Sequence, residues 1–273
     1  MAKNLFRVNL TCPKNDNERR VCRKSESFRV SDDALSHYFD IHVLEVPLGS
    51  INFKTDEKFT SGWGRDNIVE WGNTLFVKPG INKRPFRKML REFGYQKDIV
   101  SDVPLSEGGC YVFGDEFILI IDAFERFQKK FEKILQNAGL ESRPYFVPDL
   151  IQSESGHIDC DYQIIDSLKL IYGSENLFCE KYKNYEPVVK ARKTLEEIAK
   201  RHNYDVRKYK RYGPGKKRNG INSIIHDGRL FTGYIHPKEK EYLQGRGIEA
   251  ITVPLGIMNN GSGLRCVYGE FNL

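Results

Sequence analysis

Four short segments of this chain carry the residue types that covalent chemistry needs. They read WGRD at 63–66, EGG at 107–109, HID at 157–159 and GSGLRC at 261–266. Together they supply a thiol at Cys266, an imidazole at His157 and three carboxylates, and each places an ionisable group beside a glycine or at a turn. A histidine beside a cysteine can activate the thiol as a thiolate nucleophile. The set therefore predicts an enzyme that uses a cysteine and a histidine.

The carboxylates indicate the kind of substrate. Carboxylates that face one pocket repel each other unless a cation compensates them. A planar guanidinium matches such carboxylates with its forked N–H donors, and a thiolate can add to its electron-poor carbon. The imidazole of His157 could then protonate the departing amine and later activate water. The four segments together predict covalent catalysis at the carbon of a guanidino group.

The order of these segments resembles the guanidino-group-modifying superfamily, which includes arginine deiminases, agmatine deiminases, dimethylarginine dimethylaminohydrolases and amidinotransferases. The resemblance covers most of the chain, from Trp63 to Cys266. Residues 233–256 also resemble the helix and strand that precede the nucleophile in this family. The resemblance implies an α+β pentein fold. This fold is a five-bladed α/β propeller, a pseudo-fivefold ring of ββαβ units with the active site on the central axis.

The resemblance implies catalytic roles for three residues. Cys266 forms a covalent thiouronium intermediate, and His157 is the general acid and base. Glu107 of the EGG segment orients the histidine or the substrate. The family often continues EGG with an aspartate or asparagine, whereas Cys110 follows the glycines here, so the substrate pocket departs from the family pattern.

The resemblance also implies substrate-binding roles. Asp66 and Asp159 bind the guanidinium nitrogens from opposite sides. Arg65 of the WGRD segment and Asn222, at the start of the last hairpin, complete the predicted substrate-binding set. The N-terminal part of the chain, with the sequence FRVNLTCPKNDNERRVCRK, does not match the usual opening of the hydrolases, and this difference bears on substrate specificity.

Three functions are compatible with this set. The first is hydrolysis of a small, arginine-like guanidino compound, of the deiminase or dimethylaminohydrolase type. The alternative is an amidinotransferase, which uses the same thiol intermediate and passes the amidino group to an acceptor amine. The third is a binding module, like the ribosome anti-association factors that share the ring and lack the catalytic residues. The complete set of thiol, imidazole and carboxylates favours an enzyme.

A recurring unit of two short strands, a helix and a further strand positions these segments. We predict strands at 5–11, 41–46, 67–71, 74–77, 110–113, 117–121, 143–147, 161–165, 168–172, 205–209, 220–225, 230–232, 249–253 and 266–271. We predict helices at 31–39, 83–93, 123–138, 187–201 and 237–245. Ser31 is the predicted N-cap of the first helix, and a strand through His157 and Asp159 would put their two side chains on one face. We expect one catalytic domain over 1–273.

The cysteines indicate thiols rather than a disulfide framework. The six cysteines show neither CxxC nor zinc-finger spacing. All except Cys266 are expected to be core residues, as buried thiols commonly are; they are Cys12, Cys22, Cys110, Cys160 and Cys179. His157, Asp159 and Cys266 could ligate zinc in principle, but no HExxH pattern supports this. We therefore expect no metal and no cofactor.

The charge of the chain favours a small-molecule partner. Its 43 basic and 37 acidic side chains leave a mild net charge of +6. Part of the excess lies in RKYKRYGPGKKR at 207–218, which could contact phosphates, but charge runs are more often solvated loops. We expect no nucleic-acid partner and, with no apolar run of roughly 18 residues, no membrane partner. The absence of a secretory signal predicts a cytoplasmic protein, and the oligomeric state stays open between a monomer and a homodimer.

Overall fold

The structure is a computed structural model of the whole chain. It describes residues 3–11, 28–47, 68–71, 74–77, 91–92, 94–95, 98–100, 108–137, 139, 143–150, 157–209, 221–254 and 264–271. Arg65, Asp66 and Glu107 lie outside these ranges, as does most of the predicted helix at 83–93. Of that helix, only Arg91 and Glu92 are described, and both are helical.

In the described residues, pairs and runs of strands are separated by helices, as the predicted units of two strands, a helix and a further strand require. The strands are β1 Lys3–Thr11, β2 Phe39–Pro47, β3 Ile68–Trp71, β4 Thr74–Val77, β5 Asp98–Val100, β6 Tyr111–Phe113, β7 Phe117–Ile121, β8 Arg143–Val147, β9 Tyr162–Ile165, β10 Leu170–Gly173, β11 Asp205–Lys208, β12 Ile224–His226, β13 Arg229–Thr232, β14 Glu249–Thr252 and β15 Gly269–Phe271. The α-helices are α1 Arg29–Leu35, α2 Gln128–Asn137, α3 Glu175–Phe178, α4 Glu186–His202, α5 Pro237–Gln244 and α6 Leu264–Val267. Short 3₁₀ helices lie at Gly108–Cys110, Asp122–Phe127, Ile158–Cys160, Asp166–Leu168 and Glu180–Tyr182.

Within the described residues, the strands form five three-stranded sheets, in the orders β15-β1-β2, β3-β4-β5, β6-β7-β8, β9-β10-β11 and β12-β13-β14. In every sheet the middle strand pairs antiparallel with one neighbour and parallel with the other. Four sheets use consecutive strands, which is the predicted repeating unit. The first sheet instead combines the two ends of the chain, because β15 pairs with β1.

Apolar patterns in the sequence explain the best-defined elements. The middle strand β7 reads FILII and is buried at all five positions, as expected for a strand that is covered on both faces. In α4 the buried side chains recur every three or four residues and form one apolar face. These residues are Val188, Ala191, Leu195 and Ile198. Asn203 ends this helix in the left-handed region at φ 57°.

Several predicted boundaries are wrong. The helix predicted at 123–138 begins as the 3₁₀ helix Asp122–Phe127 and continues as α2. Ser31 is not an N-cap, because α1 begins at Arg29 after Phe28. Its hydroxyl instead donates a hydrogen bond to the carbonyl of Pro254 at 2.7 Å. The chain at Cys266 is helical in α6, whereas a strand is predicted there, and the final strand begins at Gly269.

The chain divides into two compact units. The first comprises 1–108, 253–258 and 265–273, and the second comprises 109–252 and 259–264. The first unit contains the sheets of β1 and β4, and the second contains those of β7, β10 and β13. The single catalytic domain over 1–273 stays a prediction. None of the helices in the described residues combines the length and the apolarity needed to cross a membrane.

Candidate functional site

His157 lies at the entrance of a tight turn in the second unit. It precedes the 3₁₀ helix Ile158–Cys160 in extended conformation, and its side chain is buried with 3% of its surface exposed. Asp159, within the turn, is fully buried. The predicted strand geometry is wrong here, because the Asp161 N–H donates to the Ile158 carbonyl at 2.9 Å and closes a turn. The structure nevertheless buries both polar side chains within one short segment.

Gly109 of the EGG segment lies directly against the His157 ring. A Cβ atom built on Gly109 would lie 2.5 Å from Nδ1 and 2.6 Å from Cγ of His157. Contacts this short do not occur for real Cβ atoms, so only glycine allows the imidazole to occupy its position. The approach follows from packing, because the turn Ile158–Cys160 contacts β6, the strand that starts directly after Gly109 and Cys110. Two of the four predicted motif segments therefore converge.

Asp161 fixes the turn that carries His157, a role that the sequence interpretation missed. One of its carboxylate oxygens accepts a hydrogen bond from the backbone N–H of Leu150 at 2.8 Å, and its carbonyl accepts the N–H of Ser174 at 2.8 Å. The hydroxyl of Tyr162 donates to the carbonyl of Pro148 at 3.1 Å. Burial raises the pKa of Tyr162 well above its usual value, so the phenol stays a neutral donor. The only sequence signal for Asp161 is its position two residues after Asp159.

Asn222 lies in the second unit, just before β12. It is fully buried, and its neighbours Ile221 and Ser223 are also buried. The strand predicted to begin at Gly220 begins at Ile224, and the Ser223 N–H donates to the Ile221 carbonyl at 3.0 Å. Asn222 thus sits in a turn that leads into the hairpin. The predicted substrate-binding role of Asn222 stays a prediction.

Cys266 belongs to the helical turn α6, between Leu264 and Val267. Its side chain, like all of Arg65, Asp66 and Glu107, lies outside the described residues. The convergence of Cys266 with His157 therefore stays a prediction.

The other described cysteines are thiols with different degrees of burial. Cys110 is buried, as predicted for a core residue, whereas Cys160 and Cys179 are half-buried. Cys12 and Cys22 lie outside the described residues. In the part of the chain that the structure describes, no three His, Cys, Asp or Glu side chains are grouped in a way that could hold a metal ion.

The basic stretch 207–218 begins inside the fold. Arg207 lies in β11 and donates to the fully buried carboxylate of Glu239, from Nε to Oε2 at 3.2 Å and from Nη2 to Oε1 at 3.3 Å. The hydroxyl of Tyr172 donates to Oε2 at 3.0 Å, and the Arg207 guanidinium lies 3.8 Å from the centroid of the Tyr242 ring. Arg207 is therefore a structural ion-pair residue rather than part of a solvated loop. Residues 210–218 lie outside the described ranges.

Replacing Arg207 by alanine should lower the free energy of unfolding by about 3 kcal/mol, because it leaves the buried Glu239 carboxylate without its cation. Denaturant unfolding of the purified protein measures this change. Lys208→Ala is the matched control, since Lys208 is half-exposed and lies 3.6 Å from a half-exposed Glu175 carboxylate; it should cost less than about 0.5 kcal/mol. Equal losses in the two variants would contradict a special role for Arg207.

Comparisons with known proteins support the fold. No protein-family model matches the chain, and a search of curated protein sequences finds no match. Among solved structures, the chain is similar to a dimethylarginine dimethylaminohydrolase from Pseudomonas aeruginosa, with a TM-score of 0.60, 14% identity, 99% of this chain covered and 100% of that chain. It is similar to an agmatine deiminase from C. jejuni, with a TM-score of 0.63, 17% identity and coverages of 98% and 93%.

A third similar structure is the N-terminal domain of an arginine dihydrolase from cyanobacteria, with a TM-score of 0.62, 10% identity and coverages of 100% and 98%. The chain spans 40% of the longer arginine dihydrolase chain. One structure of this domain is described as covalently bound to a reaction intermediate. All three proteins belong to the pentein superfamily. The chain therefore has the α+β fold of the pentein proteins, and the resemblance seen in the motifs is confirmed at the level of the fold.

Proposed function

We propose that the chain hydrolyses a C–N bond at the guanidinium carbon of a small, arginine-like guanidino compound. The observation that carries the proposal is the packing of Gly109 from the EGG segment against the buried imidazole of His157. This contact joins two segments that the motif order assigns to one active site. The likeness in fold to proteins named as acting on arginine, agmatine and dimethylarginine supports the same assignment.

In the proposed reaction, the thiolate of Cys266 adds to the guanidinium carbon. The tetrahedral adduct breaks one C–N bond, and the departing amine takes a proton from His157. His157 then removes a proton from a water molecule that attacks the thiouronium carbon. The C–S bond breaks, the thiolate returns, and the product carries a ureido group. The hydroxyl proton of the second adduct leaves with the released amine as an ammonium ion, so a guanidinium ion and water give the ureido product and an ammonium ion.

The acidic residues bind the cation in this scheme. We assign Asp159 and Asp66 to the guanidinium nitrogens and Glu107 to orientation of the imidazole or the substrate. Asp159 is fully buried, and a buried carboxylate gains from a hydrogen-bonded cationic partner such as a guanidinium. We place Asn222 and Arg65 at the polar end of the same substrate.

We further propose that the five sheets are the five blades of a pentein ring around this site. Two findings support the ring: all five sheets share one mixed topology, and β15 completes the first sheet from the other end of the chain. A closed ring would also remove the exposed sheet edges that five units in an open array would leave.

A substrate panel tests the proposed function. Arginine, agmatine, methylated arginines, guanidinoacetate and free guanidine are each incubated with the protein, and ammonia or alkylamine release is measured. We expect release from at least one compound. Parallel reactions with glycine or ornithine as acceptor would reveal an amidinotransferase as a new guanidino product. No release and no transfer with any compound would contradict the proposal.

Replacing Gly109 by alanine should lower kcat by about ten- to a hundredfold, because the new methyl group must push the imidazole out of position. The measurement is steady-state kinetics with the substrate that the panel identifies. Gly173→Ala is the matched control, since its Cβ would clash comparably with a methyl group of the apolar side chain of Leu177. We expect both variants to lose stability and only Gly109→Ala to lose kcat; equal kcat in both would contradict the role of Gly109.

A further inference from the structure

A buried polar network in the first unit joins β1, α1 and the chain that follows Cys266. Arg7, with 3% of its surface exposed, donates from Nε to both carboxylate oxygens of Asp32 at 3.0 and 2.9 Å, and from Nη2 to one of them at 2.6 Å. The hydroxyl of the fully buried Tyr268 donates to the same carboxylate at 2.7 Å. Asp32 therefore binds both Arg7 of β1 and Tyr268, which lies two positions after Cys266.

The neighbouring residue of α1 holds the other side of the same segment. The Ser31 hydroxyl, fully buried, donates to the carbonyl of Pro254 at 2.7 Å. Pro254 precedes the Gly-rich stretch that leads to Cys266, and Tyr268 follows Cys266. Two adjacent residues of one helix thus bind both ends of the segment that carries the predicted nucleophile.

The protonation and the geometry of this network suit it to fixing the position of Tyr268. Burial, and next the Asp32 carboxylate, raise the pKa of Tyr268 far above its usual value, so the phenol keeps its proton and donates a hydrogen bond to Asp32. The two-nitrogen contact of Arg7 fixes the carboxylate in orientation as well as in charge. The pairing of β15 with β1 directly after Tyr268 fixes the backbone on the same side.

We propose that α1 acts as a clamp on the nucleophile segment, with Ser31 and Asp32 as positioning residues for Cys266 through Pro254 and Tyr268. The inference rests on the proposed function, because Ser31 and Asp32 can act as positioning residues only if Cys266 is the nucleophile. Neither residue belongs to the four motif segments. A displacement of about 1 Å at a reacting atom can cost a hundredfold in rate, so remote hydrogen bonds of this kind have measurable effects.

Tyr268→Phe and Ser31→Ala test the clamp, since each removes one hydroxyl and leaves the Arg7–Asp32 ion pair intact. We expect kcat to fall about tenfold or more in each variant while KM changes less than twofold. The rate of alkylation of Cys266 by iodoacetamide, followed on its peptide by mass spectrometry, should change in the same variants. Tyr209→Phe is the matched control, because it removes a buried hydroxyl that donates to the carbonyl of Tyr234 at 3.1 Å; its kcat should stay within twofold.

The outcomes separate the clamp from the proposed function. If Cys266→Ser is inactive while Tyr268→Phe and Ser31→Ala keep normal kcat and normal alkylation, the clamp is wrong and the proposed function stands. If Cys266→Ser keeps full activity, the proposed function is wrong, and the positioning role of Ser31 and Asp32 is wrong as well. Failure of both clamp variants to fold, with Tyr209→Phe folded, would assign the network to stability alone and would also overturn the clamp.

Discussion

Cys266→Ser should lower the turnover of the guanidino substrate by about ten-thousandfold or more. The serine hydroxyl remains protonated near neutral pH and adds poorly to a guanidinium carbon, whereas a thiol beside an imidazole supplies a thiolate. Removal of a nucleophile that works together with a general base typically eliminates most of the rate enhancement. Substrate binding uses the carboxylates, so the dissociation constant should change little. Single-turnover kinetics and equilibrium binding measure the two quantities separately.

Cys160→Ser provides the matched control for this prediction. Cys160 adjoins the HID segment and is half-buried. Its substitution therefore makes the same replacement of sulfur by oxygen near the proposed site. Its turnover should remain within about threefold of the unmodified chain, as for substitutions outside a catalytic unit. A Cys160→Ser variant as inactive as Cys266→Ser would contradict the assignment of Cys266 as the nucleophile.

His157→Ala should lower turnover by about a thousandfold or more, since the leaving amine and the attacking water both lose their proton carrier. The effect should depend on the leaving group. An analogue that releases methanethiolate needs less protonation, so its turnover should fall less than that of an amine-releasing substrate. The ratio of the two losses, measured under identical conditions, therefore reports the general-acid role itself.

His202→Ala is the control for the loss of a histidine. His202 contacts the Tyr145 hydroxyl at 3.0 Å and the Glu116 carboxylate at 2.9 Å, in the second unit. Its removal should reduce stability and leave turnover within about threefold. An unchanged rate in His157→Ala would remove the proposed mechanism, whatever the behaviour of the control.

The repeating units could be predicted because local patterns define them. Strand β8 has the predicted bounds, and α4 differs by one residue at each end from the predicted helix. Long apolar runs and a clear helical period leave few alternatives for such elements. The helical turn α6 and the 3₁₀ turn after His157 span only four and three residues. Segments this short show no period, so the sequence predicted strands at both places.

Tertiary hydrogen bonds explain the other differences. Ser31 has the residue type of an N-cap, but the carbonyl of Pro254, far away in the sequence, accepts its hydroxyl. Arg207 opens a run of basic residues that suggests a solvated loop, but the buried Glu239 accepts its guanidinium. Both partners are supplied by other parts of the fold, and no local rule could identify them.

The site was predictable in its components and not in its contacts. The sequence identified His157 and Asp159, and the structure buries both. The approach of Gly109 to the imidazole depends on the packing of the turn Ile158–Cys160 against β6. The paired glycines of the EGG segment were the only sequence signal for it, since glycine permits such a close approach.

The most direct test of the mechanism follows the guanidinium carbon. A substrate from the panel, labelled with ¹³C at that carbon, is mixed with the protein, quenched in acid during turnover and analysed by peptide mass spectrometry. We predict a labelled amidino group on the peptide that contains Cys266, and its absence in Cys266→Ser. Steady turnover with the label on another cysteine, or on no residue at all, would contradict a thiouronium intermediate at Cys266.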